Sequence, residues 1–205
     1  EQSVCEHLVP LFIKSGIKWI VTDEGILFKS MRKKERDARL LYQPHLLKRK
    51  AGELSIVFRD RNLSDLIGFT YHQMPEIDAV NNFIGHLENI HKAFKKEEVM
   101  VTIALDGENA WEYYERNGRP FLRELYGMIS RDPEMRALTV SEALAQVEAQ
   151  PLQGIFPGSW INANFDIWIG AEEDNRAWDY LLRARQVYEQ AVGGELRHAR
   201  RVRLP

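Results

Sequence analysis

Two acidic residues follow directly after an apolar run in the middle of the chain. The run, residues 101–105 (VTIAL), predicts a short buried strand, and Asp106 and Glu108 come right after it. Acids at the carboxyl end of a buried parallel strand lie where α/β proteins carry their chemistry. Two carboxyl groups can act as acid and base, and the aromatic rings that begin at Trp111 suit the flat face of a sugar. The alternative is that Asp106 only caps the next helix.

Two earlier strands are predicted to position charged residues at the same edge of a sheet. These strands and the residues that end them are 17–21 with Asp23 and Glu24, and 54–58 with Arg59 and Asp60. Helical patterns at about 3–15 and 75–94 alternate with the strands, which predicts an α/β fold with parallel pairing. Because parallel strands present their carboxyl ends at one edge, we expect the three groups of acids to converge on one mouth.

The later part of the sequence is predominantly helical in pattern. Residues 119–131 and 174–188 show helical spacing of apolar residues, and the second helix is predicted to turn Trp178 inward. Residues 151–165 lie between them and form a loop rich in Gly, Pro and aromatic residues, among them Trp160.

The charge and the single cysteine exclude several classes of protein. A net charge of -2 over 205 residues gives no basic field for nucleic acid or for an anionic membrane. One cysteine, Cys5, rules out an internal disulfide and any site with several cysteine ligands, and it is compatible with a reducing compartment. No apolar run is long enough to cross a bilayer. We therefore expect a cytoplasmic protein that binds neither nucleic acid nor a membrane.

Other catalytic chemistries lack their sequence patterns here. None of the six histidines stands in an HxH or HExxH arrangement, so we expect no catalytic metal. No GxSxG elbow surrounds a serine, no glycine-rich loop is present to hold phosphates, and we expect no cofactor. Paired carboxylates with nearby tryptophans remain. One carboxyl group can protonate the leaving oxygen of a glycosidic bond while the other attacks the anomeric carbon or activates water.

Four motifs occur in this order, and the match to which they belong extends over nearly the whole chain: GIKWIVTDEGIL, FRDRNLSDLIGF, ALDGENAWEYY and GSWINANFDIWIGAEEDNRAW. Together they resemble glycoside hydrolase family 57, in its amylopullulanase-like branch. The resemblance implies an α/β fold, a partial (β/α)7 barrel with about three parallel strands in residues 1–130. A helical region, residues 131–205, would follow and complete the cleft. The resemblance also implies retaining cleavage or transfer on α-glucans such as starch, glycogen and maltooligosaccharides.

The same resemblance implies roles for individual residues. Asp106, in the DGEN motif, matches the family's acid/base, and Glu1 aligns with the nucleophile. The family's Trp-Pro before that glutamate and the N-terminal half of its barrel are missing. We therefore expect the chain to be the later part of a longer protein, with the missing half of the barrel as its partner. The residues expected to bind substrate or to hold the catalytic groups are Trp19, Asp23, Glu24, Arg59, Asp60, Glu108, Trp111, Trp160, Asp166 and Trp168.

Two functions of other kinds stay open at this point. One is a non-catalytic carbohydrate-binding protein that has kept the cleft. The other is a metal-dependent polysaccharide deacetylase, whose related barrel also carries acids at its strand ends. The sequence leaves open the choice between α-1,4 and α-1,6 bonds, the balance of hydrolysis against transfer, and the oligomeric state.

Overall fold

A four-stranded sheet forms the centre of the first part of the chain. The computed structural model describes residues 1–95 and 97–192. The strands are β1 (Trp19–Asp23), β2 (His45–Arg49), β3 (Gly52–Arg59) and β4 (Gln150–Pro151), in the order β1-β3-β2-β4. β1 pairs with β3 in parallel, as does β2 with β4, and β2 and β3 form an antiparallel hairpin. The predicted α/β class is confirmed, and so is the parallel pairing of the first two predicted strands.

The register of β1 and β3 brings their charged ends together. Asp23, the last residue of β1, lies opposite Arg59, the last residue of β3. Four consecutive residues at this end of β3 are buried, as expected for a strand that has neighbours on both edges and cover on both faces. The convergence of charged strand ends that the sequence predicts is therefore present for these two strands.

Residues 101–105 do not form the predicted third strand. β3 already pairs with β1 on one edge and with β2 on the other, so no edge is left for a further strand beside it. The sequence pattern did not single out β2, whose five residues include a histidine and two basic residues. Residues 101–105 instead pass the end of β3, where the Asp60 N–H donates to the Thr102 carbonyl at 2.9 Å. This hydrogen bond holds the segment at the end of β3, so Asp106 still lies beside the charged strand ends.

The described residues contain eight α-helices. They are α1 (Val9–Lys14), α2 (Glu24–Ser30), α3 (Ala38–Leu41), α4 (Arg61–Asp65), α5 (Glu76–Phe94), α6 (Arg119–Arg131), α7 (Val140–Leu144) and α8 (Glu172–Val192). Short 3-10 turns occur at Glu6–Leu8, Tyr71–Gln73 and Glu115–Gly118, and a π-helical turn occupies Leu66–Thr70. α2 and α4 begin directly after β1 and β3, so the acids that end these strands also start helices.

Two apolar clusters hold this part of the chain together. The first lies on the sheet and includes Leu47, Ile56 and Phe58. The second joins α5 to α6 and the segment before α6, and Phe121 is fully buried within it. Residues 101–105 contribute side chains to both clusters, which explains why an apolar run is needed there although it forms no strand.

The chain divides into two compact units, residues 1–164 and a second unit that begins at Phe165. α8 is the main element of the second unit. Trp178, predicted to face inward, is 52% exposed, and no residue of α8 is buried among those described, so this prediction was wrong. The apolar residues of α8 follow helical spacing, but no described part of the chain buries them. The prediction that residues 131–205 complete a cleft stays a prediction.

Among the described residues, no helix combines the length and apolar character that a bilayer-spanning helix requires. Within the same residues, no three His, Cys, Asp or Glu side chains gather in a group that could hold a metal ion.

A buried histidine in β2 should make the fold sensitive to acid. His45 Nε2 lies 2.9 Å from the Leu40 carbonyl, which can only accept, so Nε2 carries the proton. His45 Nδ1 is buried without a hydrogen-bond partner among the described residues, and burial lowers the pKa of His45. The unfolded chain, in which histidine has a pKa of about 6.5, therefore binds a proton that the folded chain resists. Stability should fall as the pH drops below that value.

The measurement is urea unfolding of the chain at several pH values between 7 and 5. The slope contributed by one histidine is at most about 1.4 kcal/mol per pH unit. His45→Gln keeps a donor for Leu40 and removes the titration, so the pH dependence should flatten. His7→Gln, at an exposed position, is the matched control and should leave the slope as it is. Equal slopes for the original chain and His45→Gln would contradict this account.

Candidate active site

Asp23 anchors the charged end of β1. It is fully buried, and its Oδ1 accepts from the Gly25 N–H at 2.8 Å, which caps α2. Its Oδ2 accepts from Arg59 Nε at 3.0 Å and from Arg61 Nε at 3.1 Å, and Arg61 Nη2 also donates to Oδ1. Both carboxylate oxygens are thus satisfied by the protein. The structure gives Asp23 the role of holding arginines in place.

Asp60 anchors the end of β3 in a similar way. Its Oδ1 accepts from the Leu63 N–H at 2.9 Å and caps α4. Its Oδ2 accepts from the Tyr42 hydroxyl at 2.6 Å and from Arg36 Nη2 at 2.7 Å. Burial raises the pKa of Tyr42 to about 12, so the hydroxyl stays protonated and donates. Arg36 also reaches Glu24 Oε2 at 3.3 Å, and burial raises the pKa of Glu24 although Arg36 opposes the shift.

A pocket of about 330 Å³ lies next to these networks and contains Asp106. Asp106 is half-buried, and no hydrogen bond or ion pair joins it to another residue in the described part of the chain. This sets Asp106 apart from Asp23 and Asp60, whose oxygens are occupied. A carboxyl group without protein partners, facing a cavity, is free to exchange a proton with a ligand. Glu108, two residues on, is exposed and does not line the pocket.

Trp160 connects Glu1 to the wall of this pocket. Trp160 Nε1 donates to Glu1 Oε2 at 3.0 Å, and the Trp160 N–H donates to the Glu1 carbonyl at 3.2 Å. The Arg59 guanidinium lies 5.0 Å from the centre of the Trp160 ring, within cation–π range, and donates to Asp65 Oδ1 at 2.9 Å. Arg59, Asp65 and Trp160 all line the pocket. The structure therefore gathers four of the predicted residues, Asp23, Arg59, Trp160 and Glu1, into one connected group.

The other predicted tryptophans lie elsewhere. Trp111 packs its ring against Tyr114 and Phe121, at centroid distances of 5.3 and 6.3 Å, and belongs to the second apolar cluster. Trp19 begins β1, at the opposite end of that strand from Asp23, and its Nε1 donates to Ser141 Oγ at 2.9 Å. The structure does not bring either ring to the Asp106 pocket.

Two further predicted residues belong to the second unit. Asp166 is exposed there, and the carbonyl of Trp168 accepts from Trp178 Nε1 at 2.5 Å. Their predicted contact with substrate stays a prediction.

Several pocket residues were missed at the level of sequence. Asp65, Phe69 and His72 line the pocket from α4 and the turns that follow it, and Glu112 lines it from the segment after Asp106. Tyr113, which also lines the pocket, is one of the aromatic rings after Asp106 that the sequence indicated for a sugar. A signal existed for Asp65 and Phe69, because both lie in the FRDRNLSDLIGF motif. His72 has no such signal. His72 follows the π-helical turn at Leu66–Thr70. Because this turn has a wider hydrogen-bond spacing than an α-helix, ordinary helical spacing would not predict that His72 faces the pocket.

Fold and pocket together define the class: an α/β protein with a carboxylate site at one end of its sheet. The sequence model of glycosyl hydrolase family 57 matches residues 1–155, and the chain belongs to this family. No curated protein matches the chain.

Solved structures of this family share the fold at low sequence identity. A 4-alpha-glucanotransferase from Thermococcus litoralis is 18% identical, with a TM-score of 0.63 over 93% of this chain and 28% of that protein. A GH57-type branching enzyme from Pyrococcus horikoshii is 15% identical, with a TM-score of 0.64 over 80% of this chain and 37% of that one. The alpha-amylase AmyC from Thermotoga maritima is 12% identical, with a TM-score of 0.60 over 81% and 43%.

The chain therefore spans between 28% and 43% of the length of these structures. Their catalytic folds are (β/α)7 barrels, and the chain corresponds to part of such a barrel, as the sequence predicts. At this identity the likeness concerns the fold.

Proposed function

We propose that the natural protein containing this chain is a retaining glycoside hydrolase or transglycosidase that acts on α-glucans. The observation that carries the proposal is a pocket that contains the free carboxyl group of Asp106 and that has Trp160, which donates a hydrogen bond to the Glu1 carboxylate, in its wall. Membership of glycosyl hydrolase family 57 supports the same reaction type. The names of the three similar structures support an α-glucan as the substrate class.

The two carboxyl groups divide the reaction between them. Glu1 attacks the anomeric carbon, and Asp106 gives its proton to the leaving oxygen, which leaves a glycosyl group bonded to Glu1. Asp106, now ionised, then takes a proton from water or from an acceptor hydroxyl that displaces Glu1. Productive geometry for this sequence requires the two carboxyl groups to lie about 5–5.5 Å apart when substrate is bound.

The proposal is tested by the stereochemistry of the first product. With the natural protein and a maltooligosaccharide, proton NMR should show the α-anomer before mutarotation. Activity should persist when a chelator is added. Release of the β-anomer first would contradict double displacement. Loss of activity with the chelator and release of acetate from an acetylated polysaccharide would favour the deacetylase instead. Binding in calorimetry without any turnover would favour a carbohydrate-binding role.

Trp160 gives a second prediction. Trp160→Phe keeps a ring beside Arg59 and removes the N–H that donates to Glu1. We expect kcat to fall by about 10- to 100-fold with KM little changed, the range that losing one hydrogen bond to a charged group corresponds to. Steady-state kinetics on maltooligosaccharides is the measurement. A sugar platform at Trp160 would raise KM instead, and such a result would contradict the positioning role. Tyr126→Phe, at an exposed ring that does not line the pocket, is the control and should leave both constants unchanged.

A further inference from the structure

Two large aromatic side chains stand exposed on the pocket that contains Asp106. Phe69 is 71% exposed and Tyr113 is 72% exposed, and both line this pocket. Single exposed aromatic rings are common on protein surfaces. Two rings that line one cavity together with a free carboxyl group mark a ligand site more specifically.

The outward position of Tyr113 is enforced by its neighbours. Trp111 packs inward, and a Cβ at Gly118 would lie 2.5 Å from its ring, so only glycine permits this contact. Tyr114 is buried, and its hydroxyl donates to the Ile67 carbonyl at 2.5 Å. Because Trp111 and Tyr114 are both anchored in the second apolar cluster, Tyr113 is directed to the pocket. The ring of His72 lies 5.7 Å from that of Tyr113 and supports it.

The outward position of Phe69 is also enforced by its neighbours. Phe69 lies in the π-helical turn between Ile67 and Tyr71, and both of these are buried. Gly68, beside it, also lines the pocket, and a Cβ there would meet only one side-chain atom, at 4.0 Å. The turn thus holds one ring out to the cavity and leaves open space next to it.

We propose that Phe69 and Tyr113 form a platform that binds the acceptor glucosyl residue next to Asp106. This inference rests on the proposed function. Trp160 donates a hydrogen bond to Glu1 and makes a cation–π contact with Arg59. The Trp160 side of the pocket therefore belongs to the sugar that becomes bonded to Glu1. Phe69 and Tyr113 contact neither of these residues in any ring or hydrogen-bond interaction found in the described chain. Their rings are therefore free to stack on the sugar at the other side of the scissile bond.

The platform would bias the second half of the reaction toward transfer. A hydroxyl oxygen of the bound acceptor attacks the anomeric carbon of the glycosyl group on Glu1, and a new glycosidic bond forms. The bond from that carbon to Glu1 breaks, and its electron pair returns to the carboxylate. The proton of the hydroxyl passes to Asp106. Holding the acceptor in place raises its effective concentration above that of competing water.

The test compares transfer with hydrolysis in the natural protein. α-Glucosyl fluoride is the donor and maltose the acceptor, fluoride release gives total turnover, and chromatography gives the transfer product. The double variant Phe69→Ala with Tyr113→Ala should lower the ratio of transfer to hydrolysis by about tenfold. Fluoride release without acceptor, which needs no sugar on the acceptor side, should stay within about threefold. Both rings are exposed, so the substitutions leave the apolar clusters intact.

Tyr126→Ala is the matched control, since Tyr126 is 54% exposed in the same unit and does not line the pocket. It should leave the ratio unchanged. An unchanged ratio in the double variant would overturn the platform and leave the proposed function standing. An equal loss of transfer and of acceptor-free fluoride release would also overturn it. Failure of the unsubstituted protein to release fluoride or to cleave maltooligosaccharides would contradict the proposed function, and the platform with it.

Discussion

Asp106→Asn is expected to lower kcat/KM for maltooligosaccharides by about a thousandfold, within the range that general acid–base catalysis contributes. The amide of asparagine cannot give a proton to the leaving oxygen or take one from water. Because Asp106 bonds to no other described residue, the exchange removes no structural contact and should leave the fold intact. Steady-state kinetics in the natural protein, with circular dichroism as a check on folding, is the measurement.

A substrate with a reactive leaving group tests specifically whether Asp106 donates the proton. A fluoride leaving group needs little protonation, so Asp106→Asn should slow the first step with α-glucosyl fluoride far less than with maltooligosaccharides. Glu115→Gln, an exposed carboxylate outside the pocket, serves as the control and should change neither rate. Retained activity of Asp106→Asn on maltooligosaccharides would remove Asp106 from the acid/base role.

Asp23→Ala is expected to have the largest effect on stability. It leaves the buried Arg59 and the half-exposed Arg61 without their carboxylate and removes the cap of α2. Breaking a buried pair by removing one partner costs about 3–5 kcal/mol in the free energy of unfolding. Asp23→Asn keeps an acceptor for the Gly25 N–H and should lose less. Urea unfolding followed by circular dichroism measures all three proteins.

Asp37 offers a matched control for this experiment. It also caps a helix, accepting from the Arg39 N–H at 3.1 Å, but it is more exposed and has only a 3.6 Å ion pair with Lys33. Asp37→Ala should cost about 1 kcal/mol, the usual value for a lost cap. Equal losses for Asp23→Ala and Asp37→Ala would show that the buried arginine network adds nothing to stability.

The parallel pair β1 and β3 could be predicted from sequence because both strands are short β-branched runs that end in charged residues. The local pattern of residues 101–105 is the same, yet they form no strand. The difference lies in pairing: the hairpin partner β2 occupies the remaining edge of β3, and a local pattern carries no information on which edges are taken.

For the candidate site too, local sequence motifs could be interpreted correctly, whereas contacts between distant residues could not be predicted. Asp106 could be found because its motif is local and follows directly after an apolar run. Trp111 and Tyr113 are two residues apart and both aromatic, and only the packing of Trp111 on Gly118 decides which one lines the pocket. The bond between Trp160 and Glu1 joins residues 159 positions apart, which spacing alone cannot predict.

The central claim, that Glu1 is the nucleophile and Asp106 the acid/base, is tested most directly by trapping the glycosyl-enzyme. The natural protein is incubated with a fluorinated α-glucosyl fluoride that forms the covalent intermediate quickly and hydrolyses it slowly, then digested and sequenced by mass spectrometry. We predict that the sugar is bonded to Glu1. A sugar on Asp106, or on Asp65 or Glu112 of the same pocket, would contradict the assignment.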